Sequence, residues 1–326
     1  MNRRKIFYVR GQLCIINIPE DTLHYDCSTE NSISKIENLP KGLLTFDCAY
    51  NKVSKIENLP EGLDDFCCAE NQISIIENLP KGLNSFYCCT NRISKIENLP
   101  EGVELFSCLE NNVFVIEGLP KNLKRFWCGG NSISKIENLP ECLKMFLCDG
   151  NSISKIENLP EGLKHFDCSN NSIYKIENLP ENLEEFKCKD NSVSKIENLP
   201  KSLERFWCNN NRISKIENLP KSLKDFDCDF NNISVIENLP IGLVTLQNYT
   251  ENVKFVDNVS IDKINFTLEG YSAIKRIQLR MKRRYRLKDS AARVIQRGLY
   301  NWLWKPEGIV MRIEKRNLQE SFGMFL

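Results

Sequence analysis

Histidine is nearly missing from this chain, with only His24 and His165 among 326 residues. That scarcity removes the commonest general base and the commonest metal ligand. No two cysteines stand in a C-x-x-C pair of zinc-site spacing. Neither G-x-S-x-G nor a phosphate-cradling glycine loop occurs. An enzyme is therefore not expected, nor is a metal, a cofactor or a small-molecule substrate. Long apolar runs are lacking too: no stretch approaches the roughly 18 to 20 residues that span a bilayer. The opening MNRRKIFYVRGQLCIINIPED is basic, but Arg10, Gly11 and Gln12 interrupt its apolar residues, so a secretory leader is not expected. The reading that follows is an intracellular, cytoplasmic chain. Net charge is only +1, which by itself selects no partner.

Repetition is what the sequence has in abundance. Leu-Pro recurs every twentieth residue from Leu39-Pro40 to Leu239-Pro240. Phe recurs from Phe46 to Phe226, Cys from Cys48 to Cys228 and Asn from Asn31 to Asn231. A fixed period of this kind means stacked turns, each too small to bury its inward face alone. Phe46 and Cys48 are two apart, so on a strand both point inward while Thr45 and Asp47 point outward. Asn at the following bend carries both a carbonyl and an NH2, enough to satisfy backbone groups that the bend leaves unpaired. Pro suits an extended return arm. The aligned cysteines read as core packing, because free Cys behaves as a small hydrophobe. Cys67 and Cys89 fall on the outward face of their strands and are candidates for reactivity. The Lys and Glu rows (Lys35, Lys55 and Lys95 onward; Glu37, Glu57 and Glu77 onward) read as a solvated outer face.

The stretch Leu43-x-x-Phe46-x-Cys48-x-x-Asn51-x-Val53-x-x-Ile56 resembles the leucine-rich-repeat formula L-x-x-L-x-L-x-x-N-x-L-x-x-L, with Phe and Cys in two of the Leu places. The resemblance covers about residues 18 to 248, and the 20-residue length with L-P-x-x-L is similar to the short bacterial effector class. It implies an α/β-type repeat solenoid: a horseshoe with a parallel concave β-sheet and extended, polyproline-like convex arms. Relatives of that class can carry a ubiquitin-ligase domain with a catalytic Cys, but no cysteine follows Cys228 here. Repeats of this kind, together with A-A-R-V-I-Q-R-G-x-x-N-W-L-W-K-P near the end, also resemble repeat proteins of giant amoeba viruses of the mimivirus group. A viral chain would act in the host cytoplasm.

Differences between repeats show where the scaffold leaves freedom. The slots on either side of Phe vary most, and they lie on the concave strand face. Leu105, Leu109, Trp127, Met145 and Leu147 would form an apolar patch there. Arg125 and Trp127 recur as Arg205 and Trp207, an Arg-x-Trp pair of the kind that dominates binding hot spots. A protein or peptide partner is expected on these residues, a host protein if the chain is viral.

Four regions follow: an N-terminal cap at 1–17, the solenoid at 18–248 in about eleven repeats, a cap or linker at 249–270, and a basic helical tail at 271–326. From Tyr271 to Arg316 there are 14 Lys or Arg against Asp289, Glu307 and Glu314, a net of +11, which leaves the remainder of the chain at −10. Lys275, Arg276, Arg280, Lys282, Arg283, Arg284 and Arg286 cluster on its first helical stretch. Ile277-Gln278 with Lys282-Arg283 is similar to a degenerate calmodulin-binding IQ motif. Calmodulin-like, nucleic-acid or anionic-membrane contact through this run is an alternative seat of function, with structural self-association a further one.

Overall fold

The computed structural model describes residues 5–9, 12–16, 18–28, 30–196, 198–216, 218–237, 239–247 and 254–256. Apart from 254–256, the expected linker at 249–270 and basic tail at 271–326 lie outside the described residues. Each 20-residue turn begins with a tight bend in which the Pro carbonyl accepts a bond from the N–H three residues on, as in Leu43 to Pro40 at 3.2 Å. Proline therefore opens a β-turn, a different place from the extended arm expected of it. Neither central residue of this bend has a positive φ. That explains why Gly42, Asn122, Cys142 and Ser202 all serve in the second central place.

After the bend comes a buried Leu and then a three-residue strand with Phe at its centre. Ten of these and two flanking strands, with Tyr25 and Leu246 at their centres, form one parallel sheet from His24–Asp26 to Thr245–Gln247. Register is constant: Phe126 lies opposite Phe106 on one side and Phe146 on the other. Rings from Phe46 to Phe226 stack at centroid separations of 5.6–5.7 Å, with Tyr25 ending the row at 6.3 Å. Ladder cysteines from Cys48 to Cys228 are fully buried beside them, and burial pushes their thiols well up. They are core atoms.

Asparagine closes each strand. Asn131 donates to the carbonyls of Cys108, Cys128 and Gly129 at 3.0–3.1 Å and accepts from the Val113 N–H at 2.8 Å. One side chain thus ties its own bend to the turn before. The same set repeats from Asn51 to Asn231. Asn31 stands four residues after Cys27 where later turns have three, and it is exposed and takes φ 56 itself.

The other side of each turn is extended and only partly paired. Lys95–Ile96 pairs in parallel with Val115–Ile116, and Lys155–Ile156 with Lys175–Ile176. The Asn of the I-E-N-L-P phrase ends this arm in the left-handed region, with φ between 53 and 58 from Asn38 to Asn218. Where that Asn is missing, Gly118 stands there at φ 63. Only Gly and Asn take this conformation at low cost. Lys–Glu pairs such as Lys95–Glu97 at 2.8 Å and Lys175–Glu177 at 2.7 Å line the exposed surface of the arm.

Lys5–Val9 and Gln12–Ile16 form an antiparallel hairpin at the start of the chain. Its second strand runs parallel to Ile33–Lys35, which belongs to the outer arm. The hairpin thus covers the arm side, and His24–Asp26 remains the edge of the long sheet. Among the described residues no helix is long and apolar enough to cross a membrane.

Candidate protein-interaction face

Because strand residues alternate, the positions flanking each Phe emerge together on one face of the long sheet. Register sets the neighbours. Leu105, Arg125 and Met145 stand in a row on adjacent strands, and Ser107, Trp127 and Leu147 form the row beside it. Leu105, Leu109, Trp127, Met145 and Leu147 are all half-buried, while Arg125 is exposed. The residues expected to make an apolar patch are brought together on three successive strands. Trp127 carries one further feature: its indole Nε1 is buried, with no hydrogen-bond partner among the described residues. A buried donor without an acceptor is uncommon in a folded protein.

The second Arg-x-Trp pair is chemically different. Arg205 donates to Glu185 through Nε at 2.9 Å and Nη2 at 2.6 Å, and the Trp207 indole donates to Asp225 at 3.2 Å. Lys187 sits 4.4 Å above the Trp207 ring and 2.9 Å from Glu185, with His165 at 3.7 Å from the same carboxylate. Burial opposes ionisation of Glu185, but bonds from His165, Lys187 and Arg205 outweigh it and hold the carboxyl well below its ordinary range. Arg205 and Trp207, expected to be binding residues, have their polar atoms already occupied within the sheet.

Toward the first strand the face turns acidic. His24, Tyr25, Asp26, Thr45, Asp47, Asp65, Cys67 and Tyr87 surround a cavity of about 600 Å³. Burial, with Asp64 and Asp47 close by, raises the Asp65 carboxyl above its ordinary value. Burial and Asp65 likewise raise the Tyr87 hydroxyl. His24 shares a 2.9 Å hydrogen bond with Thr45. Among the described residues neither Asp47 nor Asp65 has a lysine, arginine or histidine ion-pair partner. Asp47 also has a local task, because its Oδ1 accepts the Ala49 N–H at 2.8 Å. Asp26, Asp167 and Asp227 repeat that bond to the residue two further on. Aspartate at the end of a strand is therefore partly a turn-former, which sequence variability alone did not reveal.

Cys67 and Cys89, candidates for reactivity, are corrected by their surroundings. Burial pushes the Cys67 thiol up to about 12 and raises that of Cys89, which lies 3.0 Å from the Ser107 hydroxyl. A thiol so shifted holds almost no thiolate at neutral pH. Cys142, exposed in its β-turn, went unnoticed in the sequence because it lies outside the Cys row. Among the described residues no group of three or more His, Cys, Asp or Glu is placed to hold a metal ion. The basic-run residues Lys275, Arg276, Arg280, Lys282, Arg283, Arg284 and Arg286 lie outside the described residues.

No protein-family model matches the chain, and no curated protein matches its sequence. Solved structures do match it. YopM from Yersinia enterocolitica aligns with a TM-score of 0.59 at 22% identity, over 72% of this chain and 61% of its own. The functional domain of InlJ from Listeria monocytogenes, described as including a cysteine ladder, gives 0.58 at 19%, over 72% and 59%. The chain thus spans about three fifths of these two proteins. The leucine-rich-repeat part of FLRT2, seen in an octameric complex with latrophilin 3 and Unc5D, gives 0.54 at 18%, over 67% and 81%. These likenesses, added to the register of its strands and its asparagine ladder, show that the solenoid has the leucine-rich-repeat fold.

Proposed function

We propose that this chain is a non-catalytic interaction scaffold that holds a protein or peptide on the strand face around Trp127. A single observation carries the reading. Three successive strands place the half-buried side chains of Leu105, Trp127, Met145 and Leu147 on one face of the sheet, an apolar surface that a ligand side chain can cover. FLRT2, a protein of like fold, is found in a complex with other proteins, which is consistent with this use of the fold. The likeness of the repeats to those of giant amoeba viruses would make the partner a host protein met in the cytoplasm.

The test is a pull-down from cytosol with the full chain and with Trp127→Ala and Trp207→Ala. Loss of a partner in Trp127→Ala, with an unchanged unfolding midpoint, is the expected result. Because Trp207 is already bonded to Asp225, its variant is expected to keep the partner. A partner retained by both variants would move function away from this face.

A further inference from the structure

The strand face differs in chemistry along its length, and the difference specifies a ligand. At strands 185–187 and 205–207 the charges are matched internally: Glu185 is shared by Lys187, Arg205 and His165. At the other end, Asp47 and Asp65 face an open hollow with no ion-pair partner among the described residues, and Tyr87 lies on the same face. Negative charge beside aromatic rings is the setting that accepts a lysine or arginine side chain. Between these two regions lies the apolar patch around Trp127.

We propose, on the basis of the strand-face reading above, that the partner is an extended peptide segment whose basic side chain enters the Asp47–Asp65 cavity while an apolar or aromatic side chain covers Trp127. Geometry sets the spacing. The strand holding Asp65 is three steps from the strand holding Trp127 and four from that holding Met145. At about 4.8 Å per step these spans are roughly 14 and 19 Å. An extended chain advances about 3.3 Å per residue, so the basic and apolar residues should be about four to six positions apart. Arg125 stands exposed within the patch, on the strand of Trp127 and between Leu105 and Met145, and it favours an acidic or neutral ligand residue beside the apolar one.

The experiment is selection of a displayed random 12-residue peptide library on the full chain, with counter-selection on an Asp47→Asn/Asp65→Asn variant. Asn keeps an acceptor for the Ala49 N–H, so the variant is expected to fold, and its unfolding midpoint verifies this. Expected are peptides with Lys or Arg four to six residues from Trp, Phe, Leu or Met. They should bind the double variant at least 10-fold more weakly, and replacing their basic residue with norleucine should remove the difference. Peptides that need Trp127 but bind the parent and double variant equally would overturn this inference and leave the strand-face reading standing. Peptides indifferent to Trp127→Ala, or no selected binder at all, would overturn both.

Discussion

At the scale of single residues, the backbone sorts positions that side-chain chemistry alone does not. In each turn the residue before the ladder Asn has a positive φ, and Tyr50, Glu70, Thr90, Gly130, Asn170 and Phe230 all serve there. Thr90, at φ 51, is β-branched and ill suited to that region. Thr90→Asn should raise stability by about 0.5–1 kcal/mol, because Asn tolerates the conformation. A denaturant midpoint equal to or below the parent's would refute it. Asn131→Ala should cost about 2–4 kcal/mol, since three carbonyls and one N–H lose their partner together. Protonation gives a third prediction. Burial, with Asp167 alongside, raises Asp149 from 3.8 to about 6. Burial, with Asp229 and Asp225 alongside, does the same to Asp227. Both therefore take up a proton on folding between about pH 6 and 4, and stability should rise as pH falls through that window. The Glu185 carboxyl, held low, stabilises above about pH 4.5, and that contribution fades on further acidification. Melting temperature should thus be higher at pH 5 than at 7.5 and fall again by pH 3. Asp149→Asn should flatten the first limb and Glu185→Gln the second.

At the scale of the 20-residue turn, most of the design was legible. Leu43, Phe46, Cys48, Val53 and Ile56 recur at fixed spacing because each fills the same slot against its neighbours, and repetition turns that constraint into a visible pattern. What stayed hidden has two physical sources. Backbone conformation is one: Asn38 and its equivalents meet a requirement for positive φ, to which the sequence points only through the alternative Gly118. Contact between turns is the other. Arg125-x-Trp127 and Arg205-x-Trp207 are indistinguishable as sequence, yet Glu185 and Asp225, one strand to either side, satisfy the second pair and leave the first open. Reading such a site from sequence requires comparing residues 20 apart as spatial neighbours. Packing within the turn gives its own test. Phe126→Ala removes a fully buried ring from between two others 5.6 Å away and should cost about 3–5 kcal/mol by chemical denaturation. A loss below 1 kcal/mol would mean that the ring stack contributes little to the core.

At the scale of the whole molecule, every turn between the ends makes the same bonds to the turn before and the turn after. Deleting residues 181–200 joins Pro180 to Lys201, which begins an equivalent bend. The shortened chain should fold, with a denaturant slope reduced in proportion to the surface lost. A collapsed or aggregated product would show that turns are not interchangeable. The deletion also removes Glu185 and Lys187, so Arg205 should lose its partner while the Trp127 patch remains. Twenty residues are sixty nucleotides, and the phrase S-K-I-E-N-L-P recurs almost letter for letter. A gene so written can gain or lose a whole unit by misaligned recombination without breaking the reading frame or the asparagine ladder. Length, and with it the distance between any two surface features, is therefore a heritable variable that can change in one step of one strand spacing.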